Sequence, residues 1–134
     1  MLADLHFLVV DDFSGMRAVI GNLLKDLGYA KVTEAGDGRD AMARLHHNDS
    51  VPPINFIITD LNMPEMDGLE LLKTVRATRE MRNMPVLIVT AEGKRENILS
   101  VAQAGADGYI VKPFTSATLK DKIEKILHKR SVPV

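Results

Sequence analysis

The run Ile54-Asn55-Phe56-Ile57-Ile58-Thr59-Asp60 constrains the fold of this chain more than any other stretch. Its apolar part begins at Ile54, is rich in β-branched and aromatic residues, and stops abruptly at Asp60, where a loop bounded by Pro64 and Gly68 follows. A run of that length and composition reads as a strand buried on both faces. A carboxylate therefore stands at a strand's carboxyl end, the edge at which open α/β sheets bind ligands. The plain alternative is that Asp60 caps the next helix. It is weakened because three other apolar runs in the chain also end on a residue suited to phosphate or metal chemistry.

Leu5-His6-Phe7-Leu8-Val9-Val10 runs into Asp11-Asp12, Val86-Leu87-Ile88-Val89 ends at Thr90, and Tyr109-Ile110-Val111 ends at Lys112-Pro113. A weaker strand, Lys31-Val32-Thr33-Glu34-Ala35, reads as an edge. Helical patterns lie between these runs. Ser14 is a candidate N-cap for a helix in which Met16, Val19, Ile20, Leu23, Leu24 and Leu27 form the apolar stripe, with Gly21 off it and Gly28 as the stop. Gly36-Asp37-Gly38 leads into a short helix carrying Ala41, Met42 and Leu45. A helix from Asp67-Gly68 carries Leu71, Leu72 and Val75, and a charged stretch after it ends at Pro85. A weakly amphipathic helix carries Ile98, Val101 and Ala102 and closes at Gly105; its narrow stripe points to a mobile element. The last helix starts at Thr115 or Ser116 and carries Leu119, Ile123, Ile126 and Leu127.

Five strands alternating with five helices imply right-handed βαβ units and one parallel sheet covered on both faces. The carboxyl ends of parallel strands share one edge, so Asp11, Asp12, Asp60, Thr90 and Lys112 are expected to gather there. With 134 residues and 46% hydrophobic content, one domain spanning 1–134 is expected, with no separate output domain. A formal net charge of −1 offers no basic field for nucleic acid or anionic lipid. The absence of cysteine excludes disulfides and thiolate metal sites and suits a reducing cytoplasm. No stretch resembles an export signal or is long enough to span a membrane. His46-His47 beside Asp49 invites a metal reading, but the spacing matches no closed zinc site, and a solvent loop stiffened by Pro52-Pro53 is the better reading.

Three carboxylates cannot share a pocket freely. Two unit charges about 4 Å apart at an effective dielectric near 20 repel by roughly 4 kcal/mol. One acid takes a proton, or a cation enters. Mg²⁺, a hard ion held by a few carboxylates, waters and phosphate oxygens, fits the second case. An ammonium at Lys112 suits the neutralisation of a phosphate, and Thr90 offers a hydroxyl donor. A carboxylate can itself be the nucleophile and form an aspartyl phosphate, a reaction that needs positioning and charge neutralisation above all. No GxxxxGK[ST] motif is present, so the phosphodonor is expected to be a phosphorylated partner or a small molecule.

Asp11-Asp12-Phe13-Ser14, Asp60 with Asn62-Met63-Pro64-Glu65-Met66-Asp67-Gly68, Val89-Thr90-Ala91-Glu92 and Gly108-Tyr109-Ile110-Val111-Lys112-Pro113-Phe114 together resemble the receiver domain of two-component response regulators, in particular its single-domain chemotaxis members. The resemblance covers nearly the whole chain. It implies a flavodoxin-like (βα)5 doubly wound sandwich with strand order 2-1-3-4-5, an order taken over with the resemblance and not read from periodicity. It implies that Asp60 accepts phosphate from a chemotaxis histidine kinase, with Asp11, Asp12, Asp60 and the Asn62 backbone carbonyl around Mg²⁺. Lys112 would contact the phosphoryl group, and its bond to Pro113 would be cis. Thr90 and Tyr109 resemble the family's switch pair, and the output face would include Lys94, Ala102, Tyr109 and Lys122. The partners implied are the flagellar motor switch protein and a phosphatase, and the protein is expected to be a cytoplasmic monomer that promotes its own phosphorylation and dephosphorylation without turning over a separate substrate.

Four features depart from the pattern. Leu61 stands where such chains often have Trp, Gly93 replaces a usual Ala, Asp107 puts a negative charge near the output face, and the loop from His46 to Pro53 is long. The alternatives kept are a phosphate sink without motor binding, a receiver for another partner, and a Mg²⁺-dependent phosphatase with an aspartyl nucleophile. The phosphatase reading is disfavoured because such enzymes place a second acid two residues after the first-strand nucleophile, whereas Phe13-Ser14 follow Asp11-Asp12. Lys94, Lys120 and Lys122 can also be read as a plain solvated face.

Overall fold

Alternating runs of β-branched and helical residues build five strands and five helices in strict succession. The structure is a computed structural model, and it describes residues 4–91 and 95–131. The elements are β1 (His6–Val10), α1 (Ser14–Asp26), β2 (Lys31–Ala35), α2 (Gly38–His46), β3 (Phe56–Thr59), α3 (Gly68–Ala77), β4 (Val86–Thr90), α4 (Arg95–Gln103), β5 (Gly108–Val111) and α5 (Ser116–Ser131). All strand pairs are parallel and the sheet order is β2-β1-β3-β4-β5, the flavodoxin-like order expected. Lys31–Ala35 is indeed an edge strand.

Because side chains alternate along a strand, the central strands feed two cores. Leu8, Val10, Ile57 and Ile88 meet Leu71, Leu72 and Val75 of α3 on one face. Phe7, Val9, Phe56, Ile58 and Val89 meet Leu24 of α1 and Leu119 and Ile123 of α5 on the other. Phe7 stacks obliquely on Phe56 with ring centroids 4.9 Å apart.

Several local expectations change. Ser14 is the first residue of α1, not its cap; Phe13 holds the cap position, with no side-chain hydrogen bond. Val19 is half exposed, while Gly21 is buried against Val32, so the helix approaches β2 along Ile20, Gly21 and Leu24. Gly28 ends α1 at φ 98°, as its position implies. In α4, Val101 is buried but Ala102 is exposed. The loop after α2 is closed internally: Asn48 donates to the Ile54 carbonyl at 2.9 Å and accepts from its N–H at 2.7 Å. His6, buried in β1, ties that loop down through the Pro52 carbonyl at 2.9 Å and reaches Thr33 Oγ1 at 2.7 Å.

Asp107 does not add a charge to the output face. It lies at the amino edge of the sheet, where its N–H pairs with the Val86 carbonyl at 2.9 Å. Its side chain, 12% exposed, binds the Val86 N–H and the guanidinium groups of Arg76 and Arg130. Two cations from α3 and α5 thus neutralise it inside the fold. Gly93 and Lys94 lie outside the described residues.

Candidate functional site

The site is assembled by the last backbone bonds of the sheet. Val10 and Thr59 are register partners, and the Asp60 N–H continues that ladder by donating to the Val10 carbonyl at 2.8 Å. The first residue past β1 is thereby brought beside the first past β3. The Lys112 N–H donates to the Thr90 carbonyl at 2.8 Å and does the same for β4 and β5. Parallel register alone thus gathers the five polar residues that end the apolar runs.

Carboxylate oxygens of Asp11, Asp12 and Asp60 lie within 4.8 Å of one another. Asp11 is buried; its Oδ1 accepts from the Phe13 N–H at 2.9 Å and its Oδ2 from Lys112 Nζ at 3.2 Å. Lys112 Nζ is also 3.7 Å from Asp60 Oδ2. Asp60 Oδ1 accepts from the Leu61 N–H at 2.7 Å, leaving Oδ2 toward the lysine. Burial pushes the Asp60 carboxyl above its ordinary value, opposed by Lys112 and by the Leu61 and Asn62 N–H groups, while Asp11 adds to the rise. One ammonium among three acids leaves excess negative charge, and the donors are all hard oxygen. Asp11, Asp12 and Asp60 therefore fit a Mg²⁺-type ion.

The loop after β3 is held through glycines. The Gly68 N–H donates to the Leu61 carbonyl at 2.9 Å, and a Cβ at Gly68 would lie 2.1 Å from the Asp60 carbonyl oxygen. The Gly38 N–H binds the Met66 carbonyl at 2.9 Å, and a Cβ there would lie 2.5 Å from that same oxygen. Within the loop Glu65 takes φ 64°, the left-handed region, which strains a residue with a side chain. Leu61 is buried and lines both a groove of about 210 Å³ beside Asn62 and a constricted apolar void beneath Tyr109. That void reaches buried Thr90 and is lined also by Ile98 and Val101. Tyr109 is 38% exposed, with Lys122 Nζ 5.5 Å from its ring centroid.

The family model for the response regulator receiver domain matches residues 7–124. The chain belongs to that family. The receiver is 51% identical over 126 residues to chemotaxis protein CheY-3 of Vibrio cholerae, covering 94% of each chain, and 50% identical over 125 residues to chemotaxis protein CheY of Pseudomonas aeruginosa, covering 93% of this chain and 98% of that one. Among solved structures, Vibrio cholerae CheY4 superposes with a TM-score of 0.82 at 35% identity, covering 92% of the receiver and 99% of that chain. A response regulator receiver domain protein from Clostridium thermocellum gives the same TM-score at 27% identity, over 94% and 96% of the two chains.

The receiver places Asp11, Asp12, Asp60, Thr90 and Lys112 at one sheet edge, and the Lys112–Pro113 bond is cis. Tyr109, Lys122 and exposed Ala102 lie on β5, α5 and α4, while Lys94 is outside the described residues. His46 and His47 join no cluster of metal-ligating groups among the described residues. No helix among those residues is long and apolar enough to cross a membrane. The sequence reading missed Arg17. Its Nη1 donates to the Asp11 carbonyl at 2.6 Å and its Nε to Glu34 Oε1 at 2.9 Å. Its only signal was a basic residue one turn into the helix that follows the paired acids.

Proposed function

We propose that this receiver is a phosphorylation-activated chemotaxis regulator in which Asp60 takes a phosphoryl group from a histidine kinase and the Thr90/Tyr109 face then binds the flagellar motor switch. The observation that carries this reading is the three-carboxylate pocket bridged by Lys112. Asp60 Oδ2 attacks phosphorus in line with the bond to the kinase histidine; the O–P bond forms as the N–P bond breaks, and the electron pair returns to the imidazole. Asp11 and Asp12, with Asp60 and the Asn62 backbone carbonyl, would hold Mg²⁺, which when bound neutralises charge on the phosphoryl oxygens. Lys112 supplies a fixed ammonium to the same group, and Thr90 donates its hydroxyl to a phosphoryl oxygen. The Thr90 hydroxyl moves toward the phosphate, and the Tyr109 ring turns inward as the constricted space between it and Thr90 widens. Ala102, Tyr109 and Lys122, with Lys94, then present the output face. A phosphatase would remove the phosphoryl group from the same pocket.

The test is an NMR titration with a motor switch protein's amino-terminal peptide, with and without Mg²⁺ and beryllofluoride, the latter standing in for the aspartyl phosphate. Signals at Asp60, Thr90 and Lys112 report the pocket independently of the peptide. Pocket occupation that tightens peptide binding supports the motor reading. Occupation without any peptide binding overturns the motor assignment and leaves a phosphate sink or another partner.

A further inference from the structure

We propose that Arg17 is a positioning residue for the acidic pocket, orienting Asp12 through the Asp11–Asp12 peptide toward the divalent cation that the pocket would hold. The inference rests on reading Asp11, Asp12 and Asp60 as a cation site. The Asp11 carboxylate is already fixed at both oxygens, by the Phe13 N–H and by Lys112. Asp12 is different. It is exposed, and among the described residues no hydrogen bond orders its carboxylate. Its direction is inherited from its backbone.

The Asp11 carbonyl and the Asp12 amide belong to one planar unit, so a donor on that carbonyl fixes the plane from which the Asp12 side chain departs. Arg17 Nη1 makes that bond at 2.6 Å, a short charge-assisted contact. The guanidinium is in turn anchored by Glu34 from β2 and the Arg17 side chain is only 20% exposed, so it is no loose surface cation. Three segments meet at one planar fork: the end of β1, the first turn of α1 and the end of β2. A lysine can reach one of the two acceptors as a point charge but cannot reproduce the fork.

The competing account is simple repulsion. A guanidinium near an acidic pocket disfavours a divalent cation, so its removal should tighten binding. Positioning predicts the opposite sign. Mg²⁺ affinity is therefore measured on the full chain by calorimetry and NMR for the unsubstituted protein, Arg17→Gln and Arg17→Lys, each with and without Asp12→Asn. Arg17→Gln is expected to weaken Mg²⁺ about tenfold, the low end for outer-shell partners, with Arg17→Lys in between. In the Asp12→Asn background the same change should move the affinity less than about twofold, because the group being positioned is gone. Unchanged or tighter binding in Arg17→Gln overturns the proposal, as does an undiminished tenfold loss in the Asp12→Asn background. Urea unfolding without Mg²⁺ reports folding separately, and Arg17→Lys carries the test if the glutamine variant does not fold. Absence of Mg²⁺ binding in the unsubstituted protein removes the cation reading itself; binding indifferent to Arg17 removes only the positioning role.

Discussion

Truncating Asp107 to alanine should destabilise the receiver by about 3 kcal/mol, although the residue lies at the edge of the sheet farthest from the pocket. The carboxylate accepts from the Val86 N–H at 2.8 Å, from Arg76 Nη2 at 3.0 Å and from Arg130 Nε and Nη2 at 2.9 Å. Leaving the Val86 amide without its acceptor costs about 1–3 kcal/mol. The two ion pairs add less than buried pairs would, about 1 kcal/mol together, because Arg76 is 19% and Arg130 30% exposed. Arg76 also keeps the carbonyls of Gly105, Arg82 and Met84. Asp107→Asn retains an acceptor for Val86 and should lose about half as much. With a urea m-value of about 2 kcal/mol/M for a chain of this size, the midpoint should fall by about 1.5 M for alanine and about 0.7 M for asparagine. The reasoning is refuted if alanine shifts the midpoint by less than about 0.5 M, or if both variants lose the same amount.

Asp60→Asn tests the electrostatics of the pocket. The folded state holds the Asp60 carboxyl above its ordinary value of 3.8, so it binds more protons than the unfolded chain in that interval, and stability falls as pH rises through the raised value. Without Mg²⁺ the asparagine variant should therefore be the more stable at pH 7, with the gap closing below about pH 3.8; equal urea midpoints at pH 7 would contradict this. Gly68→Ala places a Cβ against the Asp60 carbonyl and should cost about 1–3 kcal/mol by overpacking. Its Asp60 NMR signals should also lose their response to beryllofluoride, and an alanine variant as stable and responsive as the parent would show that the loop yields freely. Lys122→Met removes a cation over the Tyr109 ring worth about 0.5–1 kcal/mol at an exposed site, a two- to fivefold change in the ratio of ring orientations. Ring-proton shifts measured without phosphate should move toward the buried position, and identical shifts in both proteins would dismiss the contact.

Periodicity carried most of the fold because β1, β3 and β4 are largely apolar and buried along their length and Lys31–Ala35 is visibly polar at an edge, while β5 at the other edge buries only Ile110 yet keeps an apolar run. It carried the pocket for the same reason: parallel register converts the residue after each apolar run into a neighbour of the others. It failed where a contact depends on distance across the sheet. Asp107 looked like a surface charge because its two guanidinium partners come from Arg76 and Arg130, 31 and 23 residues away. Gly21 looked off the packed face because a helix wheel does not reveal that Val32 approaches on that side. His6 was hidden inside an apolar run, where the Pro52 carbonyl and the Ser50 and Thr33 hydroxyls account for a buried imidazole. Arg17 acts through a backbone carbonyl, an acceptor common to all residue types and so invisible in a pattern of side chains.

The ion-paired knot around Asp107 makes β5 a beam pinned at both ends. Its root is clamped to β4, α3 and α5, and at its tip the Lys112 N–H bonds the Thr90 carbonyl at 2.8 Å while the ammonium spans Asp11 and Asp60. Between the pins every residue of the strand is paired to β4. A beam so held resists tilting as a whole, so rearrangement along it falls to side chains such as exposed Tyr109.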